Sequence, residues 1–186
     1  KTVNLDLNEL SRGKIKIATK DAINSKEYTS CGEVIKNHIV KIINPDTLET
    51  AEDNETGEIC VSGDSTADEY FNAQELSAEK LNFKIKKFPD KKFIRTGDIG
   101  FIYQNELFIT GRLKDMIIIR GRNLFPEDIE TEIKNGLNNK DIFEIVVFSI
   151  SDNSEEKIII MAEASNSLLK NSEELKKISR EILKII

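Results

Sequence analysis

In the first 110 residues, the apolar positions form short alternations and runs that are typical of β-strands. Ile15 and Ile17 alternate with lysines, and the β-branched run 39–43 ends at a turn sequence that contains proline. Another short apolar run follows at residues 58–61. We therefore expect residues 13–63 to be mainly β-structure.

The pattern changes after residue 70. Residues 72–81 predict a short helix, with Asn72 as its N-cap residue and Glu75 three positions later. The lysine-rich stretch 84–92 predicts a polar loop. Beyond it, two apolar triplets flank the polar residues 104–106, and this arrangement predicts a β-hairpin.

The last 70 or so residues alternate between strand and helix patterns. The apolar run 116–119 predicts a strand, and Pro126 suits the first turn of a helix. Positions i, i+4 and i+8 of that helix are apolar and lie on one face: Ile129, Ile133 and Leu137.

Two more strands and a second helix are predicted towards the end of the chain. The strands cover 145–148 and 158–161, with a turn at 152–154 between them. The last helix begins near Ser172. Its apolar side consists of Leu175, Ile178, Ile182 and Ile185.

These patterns together predict the α+β class. A mostly-β part at residues 1–113 is followed by a small α+β part at 114–186. The change in pattern places the boundary between them near residues 112–115.

Composition narrows the range of possible functions. The chain is 39% hydrophobic and carries a formal net charge of −6, which argues against nucleic acid as a general partner. No apolar run approaches the ~18 residues that a membrane span needs. The first residues do not resemble a secretory signal. A cytoplasmic protein is therefore expected.

The cysteines and the histidine do not suggest a metal centre. Cys31 and Cys60 have no CxxC spacing, and His38 is the one histidine of the chain. We expect no zinc site and no disulfide framework, and we interpret both cysteines as packing residues. The first residue is not methionine and the last residues stop within a helical pattern, so we also expect a fragment of a longer protein.

Asp98 and Arg112 are the residues whose chemistry suggests a ligand. Asp98 follows Thr96-Gly97, and a carboxylate on such a turn can accept hydrogen bonds from two neighbouring ribose hydroxyls. Arg112 follows fourteen residues later across the predicted hairpin, and its guanidinium suits phosphate or ribose oxygens. The alternative is that both are solvated surface residues.

Three segments close together carry a family resemblance: Arg95-Thr96-Gly97-Asp98, Gly111-Arg112-Leu113-Lys114-Asp115 and Arg120-Gly121-Arg122-Asn123. In this order they resemble the late motifs of the adenylate-forming superfamily, whose members activate a carboxylic acid with ATP. Gly57-Glu58-Ile59 with Gly63 is similar to an earlier motif.

The resemblance also implies roles for individual residues. Asp98 and Arg112 would hold the ribose of ATP or AMP. Lys114 would be the hinge about which a small C-terminal domain rotates, and Gly121 would border the tunnel for the thiol. The resemblance further implies that residues 1–113 are the end of the large adenylation domain and that residues 114–186 are a truncated small domain.

Within the superfamily, the closest likeness is to the long-chain fatty acyl-AMP ligases. Ser30-Cys31-Gly32 resembles their Ser-Cys-Gly, and residues 120–130 resemble their Arg-Gly-Arg-Asn segment, with Phe125 in place of tyrosine. Acyl-CoA ligases usually carry arginine where Asn123 stands. Losing that cation fits a site that does not hold the phosphates of CoA.

The resemblance implies a parent enzyme that uses ATP and Mg²⁺ to convert a long-chain fatty acid into acyl-AMP. The acyl group would then pass to an acyl carrier protein or to a carrier domain of a polyketide or peptide synthase. The fragment holds no catalytic residue and no metal ligand of that family, so it is expected to be inactive alone.

Two other functions remain open. The first is a long-chain acyl-CoA ligase, and the second is a non-catalytic nucleotide-binding or interaction module. The lysines of residues 80–92 are either a solvated loop or a surface that meets an acidic carrier protein.

Overall fold

The computed structural model describes residues 1–22, 24–152 and 155–185. The chain divides into two compact units, Lys1–Lys114 and Asp115–Ile186. Each unit has its own hydrophobic core.

In the described residues of the first unit, seven strands form one antiparallel sheet. The strands are β1 (Thr2–Asp6), β2 (Ser25–Glu33), β3 (His38–Ile43), β4 (Gly57–Gly63), β5 (Phe83–Ile85), β6 (Phe88–Tyr103) and β7 (Glu106–Arg112), and the helices are α1 (Leu7–Leu10) and α2 (Gln74–Lys80). The strand order is β1-β2-β7-β6-β4-β3, and β5 pairs with the beginning of β6. The long strand β6 therefore joins three partners.

The second unit is smaller and mixes helices with two hairpins. Its elements are β8 (Ile117–Ile119), β9 (Arg122–Leu124), α3 (Pro126–Gly136), β10 (Ile142–Asp152), β11 (Glu155–Ala164), α4 (Asn166–Leu169) and α5 (Ser172–Ile185), and the 3₁₀ turn Leu113–Asp115 spans the border between the units. β8 pairs with β9 and β10 pairs with β11, both antiparallel. Helices α3 and α5 bury their apolar faces in one core with Ile145 and Val147.

The structure confirms the α+β class and most of the predicted elements. Helix α3 begins at Pro126, and the predicted face of Ile129 and Ile133 is buried. Helix α5 begins at Ser172 and buries Ile178 and Ile182. The turn predicted at 152–154 falls partly on Asn153 and Ser154, which lie outside the described residues.

The predicted hairpin at 101–109 is present, with a tighter turn. Gln104 and Asn105 alone form the turn, with φ of 48° and 68°, the signature of a type I′ turn. Glu106 belongs to β7, where its carboxylate pairs with Lys1 at 2.6 Å.

The predicted lysine loop at 84–92 is wrong. These residues form the β5–β6 hairpin, in which Ile85 and Phe93 are buried and the intervening lysines are exposed. The apolar residues alternate with charged ones, and this period-2 pattern outweighs the high lysine content.

Two other local predictions were also wrong. Asn72 does not cap helix α2, because it has a left-handed φ of 52° and the N-cap position is Ala73. A capping residue needs an extended backbone, which Asn72 lacks. Ile15 and Ile17 lie outside the strands, in a segment held by isolated bridges at Lys14 and Ile17.

Candidate functional site

The candidate site is built on a bulge in strand β6. Glu58 of β4 pairs with Ile99 and Cys60 pairs with Arg95, so residues 96–98 stand opposite Ile59 alone. Gly97 has a φ of +77°, a conformation that residues with a side chain rarely adopt. The bulge therefore displaces Asp98 from the regular ladder with β4.

A buried carboxylate holds this bulge. Glu58 is fully buried, and its Oε2 accepts hydrogen bonds from Arg95 Nε at 2.8 Å and Nη2 at 2.6 Å. Its Oε1 accepts a hydrogen bond from the backbone N–H of Gly97 at 3.1 Å. In the sequence, Glu58 stands out only as part of a family motif, although a glutamate inside an apolar strand is itself a signal of a buried polar contact.

Thr96 adds two contacts within the bulge. Its hydroxyl donates to the carbonyl of Ile59 at 2.8 Å and accepts from the backbone N–H of Asp98 at 3.0 Å. The backbone on both sides of Gly97 is thus tied to β4, so the position of Asp98 is determined by the sheet.

Asp98 and Arg112 are brought together across the β6–β7 ladder. They are directly paired residues, and Arg112 Nε lies 3.4 Å from Asp98 Oδ1. The Asp98 side chain is 32% exposed and that of Arg112 is 60% exposed, so both can reach a ligand. The convergence expected from their fourteen-residue spacing is present. Their role as ribose ligands stays a prediction.

Both residues line an open cavity of about 560 Å³ in the first unit. Such a volume is in the range of small-molecule sites. The cavity wall contains the cationic side chains Lys80, Arg95, Arg112 and Lys114 and a single carboxylate, Asp98. The cavity therefore suits an anionic ligand that also carries hydroxyl groups.

Two further lining residues, Tyr70 and Leu76, come from a segment that the sequence analysis did not identify as part of the site. Tyr70 and Leu76 complete the lining together with Thr96, Gly97 and Leu113. The backbone N–H of Tyr70 donates to Ser77 Oγ at 2.8 Å, and Ser77 is buried in helix α2. This contact anchors Tyr70 to the helix that also carries Lys80.

The other predicted site residues lie at positions with special backbone geometry. Lys114 is in the 3₁₀ turn Leu113–Asp115, at the border of the two units, and it lines the cavity. Gly121 lies in the second unit, at the turn between β8 and β9, with a φ of +75°. A Cβ built on Gly121 meets no atom within 4 Å, so the space beside its backbone is open.

The cysteines do not contribute a nucleophile to the site. Cys60 is fully buried, and burial raises the pKa of its thiol to about 12, so the thiol stays protonated at neutral pH. Cys31 is exposed at a β-bulge, where the backbone N–H of Gly32 donates to Ser30 Oγ at 2.9 Å. Among residues 1–22, 24–152 and 155–185, no cluster of three potential metal ligands is found.

Curated proteins that are named as fatty-acid ligases are similar to this chain. The medium-chain-fatty-acid–[acyl-carrier-protein] ligase JamA of Moorena producens is 37% identical over 141 residues, which cover 76% of this chain and 24% of JamA. The probable long-chain-fatty-acid–AMP ligase FadD30 of Mycobacterium tuberculosis is 30% identical over 87% of this chain and 28% of its own length. No protein-family model matches the chain.

The solved structures agree. A structure from a study of fatty acyl-adenylate ligases of E. coli and L. pneumophila superposes on 98% of this chain and 30% of its own chain, with a TM-score of 0.73 and 25% identity. This chain is homologous to the C-terminal part of fatty acyl-AMP ligases. It spans about a quarter of the length of the curated relatives it matches.

The homology confirms the predicted relation to the fatty acyl-AMP ligases, which are adenylate-forming enzymes. It does not test the roles of single residues. Asp98, Arg112, Lys114 and Gly121 therefore keep their roles as predictions. No helix in the described part of the chain is long and apolar enough to cross a membrane.

Proposed function

We propose that this chain is the C-terminal part of an ATP-dependent ligase that activates a medium- or long-chain fatty acid. In the first step, a carboxylate oxygen of the acid attacks the α-phosphorus of ATP, and pyrophosphate leaves. In the second step, the phosphopantetheine thiolate of a carrier protein attacks the acyl carbonyl carbon, and AMP leaves. The parent protein is proposed to work in the cytoplasm.

The observation that carries this proposal is the cavity in which Asp98 and Arg112 meet. A wall that carries one carboxylate, Asp98, beside Arg112 and Lys114 fits a nucleotide, whose hydroxyls donate hydrogen bonds and whose phosphates are anionic. In this proposal, the ribose hydroxyls donate to Asp98, and the Arg112 guanidinium donates to ribose or phosphate oxygens. Lys114 adds positive charge on the same wall, where Lys80 is paired with Glu79 at 3.1 Å.

The proposal leaves part of the chemistry to regions outside this chain. The described residues contain no cluster that would hold Mg²⁺, so we assign the ion and most contacts to the triphosphate to the rest of the ligase. This chain contributes nucleotide positioning through Asp98 and Arg112, a hinge at Lys114 and an open backbone beside the thiol path at Gly121. Positioning of this kind lowers the barrier by fixing the reactants in place.

The proposed thiol donor is a carrier protein. JamA is named as a ligase that acts on an acyl carrier protein, and this naming supports the same partner here. The β5–β6 hairpin presents exposed lysines that suit an acidic partner surface: Lys84, Lys86, Lys87, Lys91 and Lys92. The ion pair of Lys86 with Glu49, at 2.9 Å, leaves the other four lysines as the main positive surface of the hairpin.

The test of this function is exchange between ATP and labelled pyrophosphate in the complete ligase. We expect exchange that requires a medium- or long-chain fatty acid, because the first step is reversible and forms acyl-AMP. The control omits the fatty acid, and a second control supplies an amino acid instead. A protein that binds ATP but shows no exchange with any fatty acid would instead be the non-catalytic nucleotide-binding module.

The proposed hinge has its own test. We expect trypsin to cleave this chain first between Arg112 and Asp115, because Arg112 and Lys114 are exposed at a single 3₁₀ turn between two compact units. Mass spectrometry of a time course measures the order of cleavage. The exposed Lys84 and Lys91 are the internal controls, since their backbone belongs to paired strands. Cleavage at the hairpin lysines as early as between Arg112 and Asp115 would argue against a hinge.

A further inference from the structure

Glu58 is a buried charge whose three described hydrogen bonds all lead to the bulge that carries Asp98. Its side chain is fully buried, and that of Arg95 is 13% exposed. Removing a carboxylate from water is costly unless it is paired and hydrogen-bonded. Here the compensating groups are Arg95 and the Gly97 N–H, which lie on either side of Thr96.

The stability of the fold does not by itself explain why position 58 is a glutamate. A buried ion pair is often no more stabilising than well-packed apolar side chains of similar size. Strand β4 supplies apolar neighbours in Ile59 and Cys60, and an apolar residue at position 58 would continue that pattern. What the carboxylate provides, and an apolar side chain does not, is an acceptor at a defined point for the N–H of Gly97.

The backbone conformation of Gly97 determines where the next residue, Asp98, is placed. Gly97 is the residue with φ of +77°, and a glycine in such a conformation is free to adopt others unless its backbone is held. The Glu58 carboxylate holds its N–H, and the next residue along the chain is Asp98. The residue before Gly97, Thr96, is held by the hydrogen bond from its hydroxyl to the carbonyl of Ile59.

Arg95 completes the arrangement by keeping Glu58 in one orientation. Its guanidinium binds Oε2 through two nitrogens and lies 5.5 Å from the ring centroid of Phe83. A side chain fixed on two sides gives the carboxylate little freedom to rotate. Because Glu58 balances the charge of Arg95, Arg112 is left as the cation paired with Asp98.

We infer that Glu58 is a positioning residue for nucleotide binding, which acts by holding the Thr96–Asp98 bulge so that the Asp98 carboxylate meets the ribose. The inference rests on the proposed function, since it assigns a purpose to the site at which ATP is proposed to bind. Glu58 is fully buried and does not line the cavity. Its effect reaches the nucleotide only through Asp98.

The experiment compares Glu58→Gln, Asp98→Ala and the double variant in the complete ligase by fatty-acid-dependent pyrophosphate exchange. Glutamine keeps the size of the side chain, but it has a single acceptor oxygen, which cannot serve both Arg95 and the Gly97 N–H. We expect Glu58→Gln to raise the KM for ATP about tenfold while kcat at saturating ATP changes by less than about threefold. The double variant should have the KM of Asp98→Ala alone, because both changes act on the same contact.

The matched control is Glu106→Gln. Glu106 is also a glutamate of this sheet, 10% exposed and paired with a lysine at 2.6 Å, but it does not line the cavity. We expect Glu106→Gln to lower the melting temperature and to leave the KM for ATP unchanged. A purely structural role for Glu58 would produce the same result as Glu106, namely a lower melting temperature with an unchanged KM, and would overturn the inference.

The outcomes separate the inference from the proposed function. An unchanged KM in Asp98→Ala contradicts the ribose assignment and the inference that depends on it, whereas a lack of fatty-acid-dependent exchange in the unmodified ligase contradicts the proposed function. A raised KM in Asp98→Ala with an unchanged KM in Glu58→Gln overturns only the inference. The inference is also overturned if the double variant raises the KM by the product of the two single increases, since the two residues would then act independently. If Glu58→Gln does not fold, Glu58→Asp is measured instead, since it keeps the buried charge but is one methylene too short to hold both Arg95 and the Gly97 N–H. The same rise in KM is expected, and an unchanged KM again overturns the inference.

Discussion

Replacing Asp98 by alanine in the complete ligase is expected to raise the KM for ATP at least about 30-fold and to reduce acyl-AMP formation accordingly. The proposed site places two ribose hydroxyls against this carboxylate. Hydrogen bonds to a charged group contribute about 1.5–3 kcal/mol each, and 1.4 kcal/mol corresponds to about a tenfold change in affinity. The measurement is the ATP dependence of fatty-acid-dependent pyrophosphate exchange.

The fold should survive this substitution. In the described structure, the Asp98 carboxylate makes one ion pair, with Arg112 at 3.4 Å, and both side chains reach solvent. Exposed ion pairs of this kind contribute at most about 1 kcal/mol to the free energy of unfolding. Asp90→Ala is the matched control, because Asp90 is exposed on the same strand and does not line the cavity. An ATP KM that is equal in the two variants would exclude Asp98 as the ribose ligand.

The second large effect concerns the acceptor of the acyl group. We expect the complete ligase to acylate a phosphopantetheinylated carrier protein at least ~100-fold faster than free CoA. Asn123 stands where CoA-using relatives are expected to carry arginine, and a neutral amide does not replace a guanidinium at a phosphate. Binding CoA would then require desolvation of its nucleotide phosphates without a compensating ion pair.

The acceptor assay is direct. The enzyme is incubated with ATP, Mg²⁺ and a radiolabelled fatty acid, with either CoA or the carrier protein, and the labelled products are separated. The variant Asn123→Arg tests the stated cause, since it restores a cation to strand β9 and should increase acyl-CoA formation. Efficient formation of acyl-CoA by the unmodified enzyme would place the protein among the acyl-CoA ligases.

The elements of the second unit could be predicted well because their patterns are local. Ile129 and Ile133 repeat at helical spacing after a proline, and Ile178 and Ile182 repeat in the same way in α5. A helix buries one face, so the spacing of its apolar residues already identifies that face. The same holds for the hairpin turn at Gln104 and Asn105, where short polar residues separate two apolar strands.

The lysine-rich segment shows where composition misleads. Five lysines between residues 84 and 92 suggested a loop, whereas Ile85 and Phe93 are core residues of a hairpin. A strand with one solvated face tolerates any number of lysines on that face. The alternation of Phe83, Lys84, Ile85 and Lys86 was the signal that could have identified β5.

Some residues of the candidate site were predictable from local sequence patterns, and others were not. Asp98 and Arg112 were predictable as a pair, because a hairpin brings residues on its two strands together at a separation that the chain itself specifies. Glu58, Tyr70 and Lys80 were not predictable as part of it. Glu58 reaches Arg95 across 37 positions of sequence, through the pairing of β4 with β6. No local pattern specifies that register.

The sequence by itself thus determined the α+β class, the apolar faces of the helices, the hairpin that pairs Asp98 with Arg112 and the likeness to fatty acyl-AMP ligases. Each of these features depends on which residue types occur close together in the sequence. The tertiary structure alone decided that Glu58 is buried against Arg95 and Gly97, and that α2 closes the cavity with Lys80. The physical reason is that the partners of a buried polar group are set by strand register and packing, which sum many long-range contacts.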